Sequence, residues 1–335
     1  MRKLLLPLLA AFLSMALLGQ ASAKETPAYI ALGDSLAFGV GASDPAHKGY
    51  VGLTFDALRR SNRYLERGLT LLNLGVPGAT SSDLLLPGGQ MEQAIAEIKE
   101  RQADTTSADD NVEIISVNIG GNDLLALGSG DSPCISEPAG DACQERFNTM
   151  LATLEDNLSE VVQRLREAAP LADIVIVDLY NPFSGTGAPL ELVADLAVQQ
   201  VNGVLRKVAE QPQFEAKLAD LQPLFQGRSS QLIAADNLHP NDSGYALIAE
   251  ALLAAIEERA VVLPEGLNTT PSTGGSPPPQ ELPPEATSAA AAAAFSPPSG
   301  SGRSNVGLLL TFVIPASLLG LAVIGGAYVL ARGRR

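Results

Sequence analysis

Histidine and cysteine are scarce in this chain of 335 residues, with two of each, and tryptophan is absent. Two histidines are too few for a histidine-rich metal site, and two cysteines are too few for a zinc site built from thiolates. Basic residues are also few, because 22 lysines and arginines stand against 37 acidic residues. Nucleic-acid binding needs clustered positive charge to neutralise phosphates, so this composition argues against a nucleic-acid-binding protein.

The net charge of −15 is unevenly distributed along the chain. All 37 acidic residues lie between residues 24 and 305 together with 17 of the bases, so this stretch carries a charge of −20. Such an acidic surface keeps a protein soluble and repels anionic lipid headgroups. It does not point to a particular substrate.

The first 23 residues have the order of a secretory signal. Arg2 and Lys3 precede an apolar run over residues 4–18, and small residues follow at positions 21–23. This order is typical of a cleavable signal peptide, and the apolar part is short for a membrane span. A buried N-terminal helix is the alternative. We favour the signal peptide over residues 1–23 and expect the protein to be exported.

Export changes the interpretation of the two cysteines, because an exported protein folds in an oxidising compartment. Cys134 and Cys143 have eight residues between them. They can close a local disulfide, which loop-closure entropy predicts to contribute roughly 2.5–3 kcal/mol. Such a bond fixes a loop without defining the fold. A pair of buried thiols is the alternative.

The end of the chain predicts a membrane anchor. Residues 306–331 are 26 positions without a charge, about 39 Å long as a helix, which is enough to cross a bilayer. The basic tail at 332–335 is expected in the cytoplasm under the positive-inside rule, with the rest of the protein outside the cytoplasmic membrane. A sorting signal that a processing enzyme removes is the alternative, although no Leu-Pro-x-Thr-Gly motif precedes the segment.

A linker separates this anchor from the folded part of the chain. Residues 264–305 contain nine prolines and a run of alanines, with many serines, threonines and glycines. The tract has no apolar periodicity that could bury a core, so we interpret it as disordered. The folded part is therefore one domain over residues 24–263, which we expect to be a monomeric ectodomain.

Within this domain, short apolar runs alternate with longer segments of helical periodicity. Strands separated by helices are typical of parallel βαβ units with right-handed crossovers. Strands are predicted at Ala28–Leu32, Leu69–Leu74, Val112–Ile119 and Ile174–Leu179. Helices are predicted at about 49–66, 89–102, 144–168, 189–210 and 242–259. A fifth strand lies at either Phe214–Leu221 or Gln231–Ala235, and we favour the first.

Polar and glycine-rich blocks follow the predicted strands. A doubly wound parallel sheet binds its ligands at the carboxyl ends of its strands, so these blocks are candidates for a site. The four blocks are Gly33-Asp34-Ser35-Leu36, Gly75-Val76-Pro77-Gly78, Gly120-Gly121-Asn122-Asp123 and Asp236-Asn237-Leu238-His239-Pro240. Acyl transfer by a serine needs a nucleophile, a base, a group that orients the base, and donors for the oxyanion. The four blocks offer each of these.

The nucleophile and the base come from the first and last blocks. Ser35 opens a helical region, where backbone N–H groups favour negative charge, although alone it could be a helix cap. Asp236 precedes His239 by three residues, close enough in a tight turn to hold Nδ1–H and leave Nε2 for the serine proton. This pair alone could be a surface turn. His47, the other histidine, lies in a polar loop and is interpreted as solvated.

Oxyanion donors come from the second and third blocks. Gly78 lets a backbone N–H approach a substrate closely, and the Asn122 side chain supplies a neutral N–H from a second loop. Each is an ordinary loop residue when taken alone. Their combination with a serine and a histidine at the same sheet edge indicates acyl transfer.

The four blocks, with Asn73 beginning the second, resemble in order and spacing the signature blocks of the SGNH (GDSL) hydrolase family. The resemblance covers most of residues 28–260. It implies a flavodoxin-like three-layer α/β/α fold with a five-stranded parallel sheet. It also implies ester hydrolysis without a metal or another cofactor.

The resemblance also implies residue roles. It assigns Ser35 as the nucleophile, His239 as the base and Asp236 as the group that orients it. It gives the oxyanion hole to the backbone N–H groups of Ser35 and Gly78 and to the side chain of Asn122.

Two further details concern the blocks themselves. Gly78 is chosen over Gly75 because the family's glycine falls five residues after the asparagine. Asp34 and Asp123 are interpreted as structural residues that hold their loops.

The sequence thus predicts a membrane-tethered extracytoplasmic esterase or lipase. Lipid esters, small soluble esters and acetylated glycans all remain candidate substrates. A catalytically silent binding or adhesion module on the same fold is the alternative function. The motif Gly33-x-Ser35-x-Ala37 also resembles the nucleophile elbow of α/β-hydrolases, but there the nucleophile follows several strands, whereas here it follows the first.

Overall fold

The computed structural model describes residues 26–103 and 111–263. The segments interpreted as signal peptide, linker, membrane span and basic tail lie outside the described residues. Within the described ranges, no helix combines the length and the apolar character that crossing a membrane requires.

Five parallel strands form one sheet in the order β2-β1-β3-β4-β5. They are β1 Ala28–Gly33, β2 Thr70–Asn73, β3 Val112–Asn118, β4 Asp173–Val177 and β5 Lys217–Ala219. The four strands that were predicted without an alternative are all present. The position of β5 confirms the favoured alternative, since the region around Gln231–Ala235 contributes only an isolated bridge between Ile233 and Pro240.

Helices follow the strands and fill the connections. In chain order they are α1 Ser35–Phe38, α2 Pro45–Lys48, α3 Tyr50–Arg60, α4 Ser81–Leu84, α5 Gln90–Ala103, α6 Gly121–Leu125, α7 Pro133–Ser136, α8 Asp141–Ala168, α9 Leu190–Ala209, α10 Gln222–Phe225, α11 Ser229–Leu232 and α12 Asp242–Glu257. A short 3₁₀ turn at Ala126–Gly128 follows α6. The five predicted helices correspond to α3, α5, α8, α9 and α12.

The third helix is shorter than predicted. The periodicity predicts a helix over 49–66, but α3 ends at Arg60 and the chain turns at residues 61–67. The Tyr64 ring is fully buried and its hydroxyl donates to Glu113 Oε2 at 2.9 Å. This contact with β3 and the turn that delivers it outweigh the local preference for helix.

Alternation along the strands separates the two sides of the sheet. Ile30 and Leu32 of β1 belong to the core that packs under α5, α8 and α9. Tyr29 and Ala31 belong to the core on the opposite face, with α3 and α12. Successive side chains of a strand point to opposite faces, so the sheet is buried on both sides. The fold is therefore a three-layer α/β/α sandwich, as predicted.

The predicted disulfide is present in the structure. Cys134 in α7 is bonded to Cys143 in the first turn of α8. The bond closes the connection that follows α6 and fixes it to the long helix α8.

The described domain begins and ends at the same edge of the sheet. Thr26 precedes β1, and its carbonyl accepts a hydrogen bond from Arg101 Nη1 at 2.9 Å. At the end of α12, the Ile256 carbonyl accepts from the Lys217 Nζ at 3.1 Å, and Lys217 is the first residue of β5. Both positions therefore lie at the amino ends of the strands, opposite the carboxyl edge.

Candidate active site

The strand β1 delivers Ser35 to the carboxyl edge of the sheet. Gly33 ends the strand with φ +151°, and a Cβ there would lie 2.4 Å from the Asn118 carbonyl oxygen, so only glycine allows β1 to approach β3 so closely. Asp34 caps α1, because its Oδ1 accepts the Leu36 N–H at 2.9 Å. The helix cap is thus Asp34, and the Ser35 hydroxyl is directed elsewhere.

The structure brings Ser35, His239 and Asp236 together in one hydrogen-bonded chain. Ser35 Oγ lies 2.9 Å from His239 Nε2, across 204 positions of sequence. His239 Nδ1 lies 2.6 Å from Asp236 Oδ2. The His239 residue is 4% exposed, whereas the Asp236 side chain is 38% exposed. The imidazole is therefore enclosed between a hydroxyl and a carboxylate.

Asp236 holds both the imidazole and the turn that carries it. Its Oδ1 accepts the backbone N–H groups of Leu238 and His239, each at 3.0 Å, while Oδ2 faces the ring. Partial burial raises the pKa of Asp236, but the hydrogen bonds from His239 and from the two N–H groups outweigh it, so the pKa lies below its usual value. The carboxylate stays ionised beside the ring.

Tyr180 supports the same turn from the end of β4, and it stands in none of the four sequence blocks. Its hydroxyl donates to the Leu238 carbonyl at 2.8 Å, and its ring stacks on Phe225 with centroids 4.3 Å apart. The only signal in the sequence is its position three residues past β4, at the carboxyl edge.

Loop contacts also link the turn to α1. A Cβ at Gly41 would lie 2.8 Å from the His239 Cβ, so the chain after α1 packs directly on the base. The Tyr245 hydroxyl in α12 donates to the Val40 carbonyl at 2.5 Å. The segments that carry the serine and the histidine are thus joined by contacts beside the triad itself.

Gly78 presents a backbone N–H at the same edge. Its φ is +86° and a Cβ would meet nothing within 4 Å, so the residue faces open space. Among the described residues, the N–H groups of Ser35 and Gly78 have no intramolecular acceptor. Gly75 has a different place, because its N–H donates to Asn73 Oδ1 at 3.0 Å and it packs against α1. Of the two glycines, Gly78 is therefore the candidate donor.

Asn122, in the third block, contacts the first block and the residue that follows the second. Its Nδ2 donates to the Ala79 carbonyl at 2.9 Å and, over a longer distance of 3.3 Å, to Asp34 Oδ2. The shorter bond fixes the orientation of the amide. The longer bond is the weaker one, which a substrate oxygen can replace.

Asp123 ties the two donor loops together. Its carboxylate accepts the Ser81 N–H at 2.9 Å and the Ser81 hydroxyl at 2.6 Å. Asn157 in α8 donates to the same hydroxyl at 3.0 Å. Asp123 thus holds the loop of Gly78 against the loop of Asn122. Ser81 and Asn157 carry no motif, so the sequence does not reveal them.

Asp34 is 2% exposed and lies among these loops. Burial raises its pKa to about 7, the Leu36 N–H opposes this shift, and the negative charge of Asp123 adds to it. A carboxyl group with this pKa carries less negative charge near neutral pH than an ordinary aspartate. This favours a site that must stabilise an oxyanion.

Gln90 fixes the end of β1 from α5. Its Oε1 accepts the Gly33 N–H and its Nε2 donates to the Gly33 carbonyl, both at 2.8 Å. This reciprocal pair spans 57 positions of sequence and leaves no local pattern that would predict it.

His47 lies outside this constellation. Its Nδ1 is 3.0 Å from Asp44 Oδ2, and its side chain is 76% exposed. Within residues 26–103 and 111–263, no group of three or more histidine, cysteine or acidic side chains is arranged to hold a metal ion.

Similar proteins are known for most of this domain. Residues 31–247 match the model of the GDSL-like lipase/acylhydrolase family. The protein YpmR of Bacillus subtilis is 28% identical over 240 residues, which cover 71% of this chain and 84% of YpmR. The spore germination lipase LipC of Bacillus licheniformis is 27% identical over 233 residues, which cover 68% of this chain and 95% of LipC.

A solved structure extends the similarity to the fold. The lipase Lip_vut3 from a goat rumen metagenome superposes with a TM-score of 0.52 at 27% identity, covering 69% of this chain and 97% of that chain. The range matched by the family model contains all four blocks that meet at the carboxyl edge.

Proposed function

Because the chain belongs to the GDSL-like lipase/acylhydrolase family, it is a serine ester hydrolase, and we propose that Ser35, His239 and Asp236 carry out its reaction. The observation that carries this assignment is the hydrogen-bonded chain from Ser35 Oγ through His239 to Asp236, at 2.9 and 2.6 Å. Family membership favours this enzyme over a silent binding module.

The first half of the reaction forms an acyl-enzyme. Ser35 Oγ attacks the ester carbonyl carbon as its proton passes to His239 Nε2, and Asp236 stabilises the resulting imidazolium. The carbonyl oxygen becomes an oxyanion that accepts hydrogen bonds from the Ser35 and Gly78 N–H groups and from Asn122. The C–O bond to the alcohol then breaks, and the alcohol leaves with the proton from Nε2.

The second half returns the enzyme to its starting state. Water gives a proton to His239 Nε2 and attacks the acyl carbon. The same donors stabilise the second oxyanion. The bond to Ser35 Oγ breaks, Oγ recovers the proton from Nε2, and the carboxylic acid leaves.

Replacing the nucleophile tests this assignment. In Ser35→Ala, turnover of p-nitrophenyl acetate should fall on the order of 10⁶-fold, because no acyl-enzyme can form. A fluorophosphonate probe should label the native chain and leave the variant unlabelled. The matched control is Ser129→Ala, which changes an exposed serine outside the site. It should keep both the ester turnover and the labelling by the probe. Full turnover by Ser35→Ala would refute the assignment.

Lipid esters are the substrate class that the relatives support best. LipC and Lip_vut3 are described as lipases. A Cβ at Gly78 would meet nothing within 4 Å, so no neighbouring atom crowds this side of the residue. Hydrolysis of a triglyceride emulsion and a lysophospholipid, compared with acetylated xylan, separates the candidates.

We also propose that the protein is exported and held at the outer face of the cytoplasmic membrane. The signal-like order of residues 1–23 and the uncharged stretch 306–331 support this location. The disulfide between Cys134 and Cys143 is the kind of bond that persists in an oxidising compartment.

Fractionation of cells that express the full chain tests the location. The full chain should stay with the membranes after alkaline washing and should be digested by protease added to intact spheroplasts. A chain that lacks residues 306–335 should appear in the medium. Recovery of the full chain in the cytosol would contradict the proposal.

A further inference from the structure

Exposed apolar side chains are concentrated at the edge that carries the site. In the described part of the chain, five exposed large apolar residues lie between the carboxyl end of a strand and the first turn of the next long helix, namely Phe38, Val76, Leu86, Leu192 and Val193. Those elsewhere are Leu65, Leu171 and Val262. Single exposed apolar residues are normal, so their position matters more than their exposure.

Phe38 and Val76 belong to the two segments that carry reacting groups. Phe38 is the last residue of α1, which Ser35 opens, and it is 44% exposed. Val76 precedes Gly78 by two residues and is 51% exposed. The Val76 N–H donates to the Gly33 carbonyl at 3.0 Å, so this loop is fixed to the end of β1.

The two segments are in direct contact. A Cβ at Gly75 would lie 2.7 Å from the Phe38 nitrogen, so the chain just before Val76 packs against the end of α1. The two exposed side chains therefore lie on adjoining segments beside the nucleophile.

Proton transfer fixes the position of the alcohol part of the ester. The leaving alcohol must face His239 Nε2 to take its proton, so the acyl part points away from the base. His239 packs against Gly41, whereas the loop of Gly78 is held by Asp123 on the side of the oxyanion donors. Val76 lies in the loop that carries the oxyanion donor Gly78, and Phe38 ends the helix that begins with Ser35.

We propose that Phe38 and Val76 bind the acyl chain of the ester and make the enzyme prefer medium-length chains to acetyl. This inference rests on the proposed function, since it concerns the same site. Each methylene group that leaves water for these side chains favours binding, until the apolar surface is covered. An acetyl group is too short to gain from them.

A series of p-nitrophenyl esters tests the inference. The native chain should hydrolyse the octanoate with a kcat/KM about tenfold above that of the acetate, because apolar contacts discriminate by about this factor. The variants Phe38→Ser and Val76→Ser should lose this preference and change acetate turnover less than twofold. Active sites are counted with a fluorophosphonate probe, so that misfolded protein does not enter the comparison.

Two further variants keep the result interpretable. Val76→Thr keeps the shape of the side chain and replaces one methyl group by a hydroxyl, so it should lower octanoate turnover even if Val76→Ser folds poorly. Leu171→Ser changes a side chain that is 93% exposed at the opposite edge, and it should leave both rates unchanged.

The outcomes separate this inference from the proposed function. No turnover of any ester by the native chain would contradict the proposed function. Turnover of acetate without a preference for octanoate, or an equal loss of both rates in the variants, would overturn the acyl-chain inference alone. Sensitivity to the length of the alcohol, measured with octyl acetate, would also overturn it.

Discussion

Asn122 uses its side-chain amide in two hydrogen bonds of unequal length, and this asymmetry separates its structural from its chemical task. The 2.9 Å bond to the Ala79 carbonyl orients the amide before substrate binds. The 3.3 Å bond to Asp34 is the one an oxyanion can replace. A donor that is already oriented needs little rearrangement during the reaction, which makes it effective at stabilising the transition state.

Removing this donor should affect the chemical step more than binding. In Asn122→Ala, kcat for p-nitrophenyl acetate should fall about 10²–10³-fold with little change in KM, because the bond forms only as charge develops on the oxygen. Steady-state kinetics measures both constants. Asn148→Ala, an exposed change on α8, is the control. A rise in KM with unchanged kcat would assign Asn122 to substrate binding instead.

Tyr180 gives a prediction about the position of the base. Tyr180→Phe keeps the ring that stacks on Phe225 but removes the bond to the Leu238 carbonyl. A neutral hydrogen bond contributes about 1 kcal/mol to the stability of the arrangement that it joins. If this bond orients His239 for proton transfer, its loss should lower kcat about fivefold. KM and the thermal midpoint should change little.

The control for this change is another buried tyrosine. Tyr64→Phe removes a hydroxyl that donates to Glu113 at 2.9 Å, at the amino edge of the sheet. It should lower stability without lowering kcat. Equal effects of both variants on kcat would show that Tyr180 has no special relation to the base.

At the scale of elements, the sequence predicts the strands and the long helices better than it predicts the short helices. Strands β1, β3 and β4 follow from runs of apolar and β-branched residues, and α12 follows from a repeat that buries Tyr245 and Leu252. Four-residue helices such as α2 and α10 complete scarcely one turn. They have no periodicity to detect.

The candidate site divides in the same way. Ser35 and the Asp236–His239 turn stand in local motifs, so the sequence alone identifies them as candidate catalytic residues. Gln90 and Tyr180 act through partners 57 and 58 positions away. Contacts of this kind depend on which elements become neighbours in the sheet, and one sequence carries no local record of that.

The disulfide between α7 and α8 gives a prediction at this scale. Replacing Cys134 and Cys143 by serine should lower the free energy of unfolding by roughly 2–3 kcal/mol, because the unfolded chain regains the freedom of the closed loop. The core face of α8, with Leu154 and Leu158 buried, should keep the fold and the acetate turnover intact. Urea unfolding measures the change, and an unchanged midpoint would contradict it.

For the whole molecule, buried carboxyl groups predict how stability depends on pH. Asp178 is fully buried, and burial raises its pKa to about 8, while the Leu221 N–H opposes the shift and Asp220 adds to it. Between pH 4 and 8 the unfolded chain releases this proton and the folded chain keeps it. Stability contributed by the protonated group is therefore lost as pH rises through that window.

Asp178→Asn should remove this dependence. An amide cannot ionise, and its oxygen can still accept the Leu221 N–H, which lies 2.6 Å from Asp178 Oδ1. The variant should lose less stability than the native chain between pH 5 and 9, measured by urea midpoints. Asp131→Asn, a change at an exposed residue, should follow the native curve. Parallel curves for Asp178→Asn and the native chain would refute the assignment.

The described domain starts at Thr26 and leaves α12 near Ile256, both at the amino ends of the strands. Under the anchoring proposed above, the attachment would lie on the side of the sheet opposite the edge that carries Ser35, so the active site would be directed away from the point of attachment. Esters in the surrounding medium would then reach the active site directly. Lipids of the anchoring membrane would be reached when the domain turns on the predicted linker at 264–305.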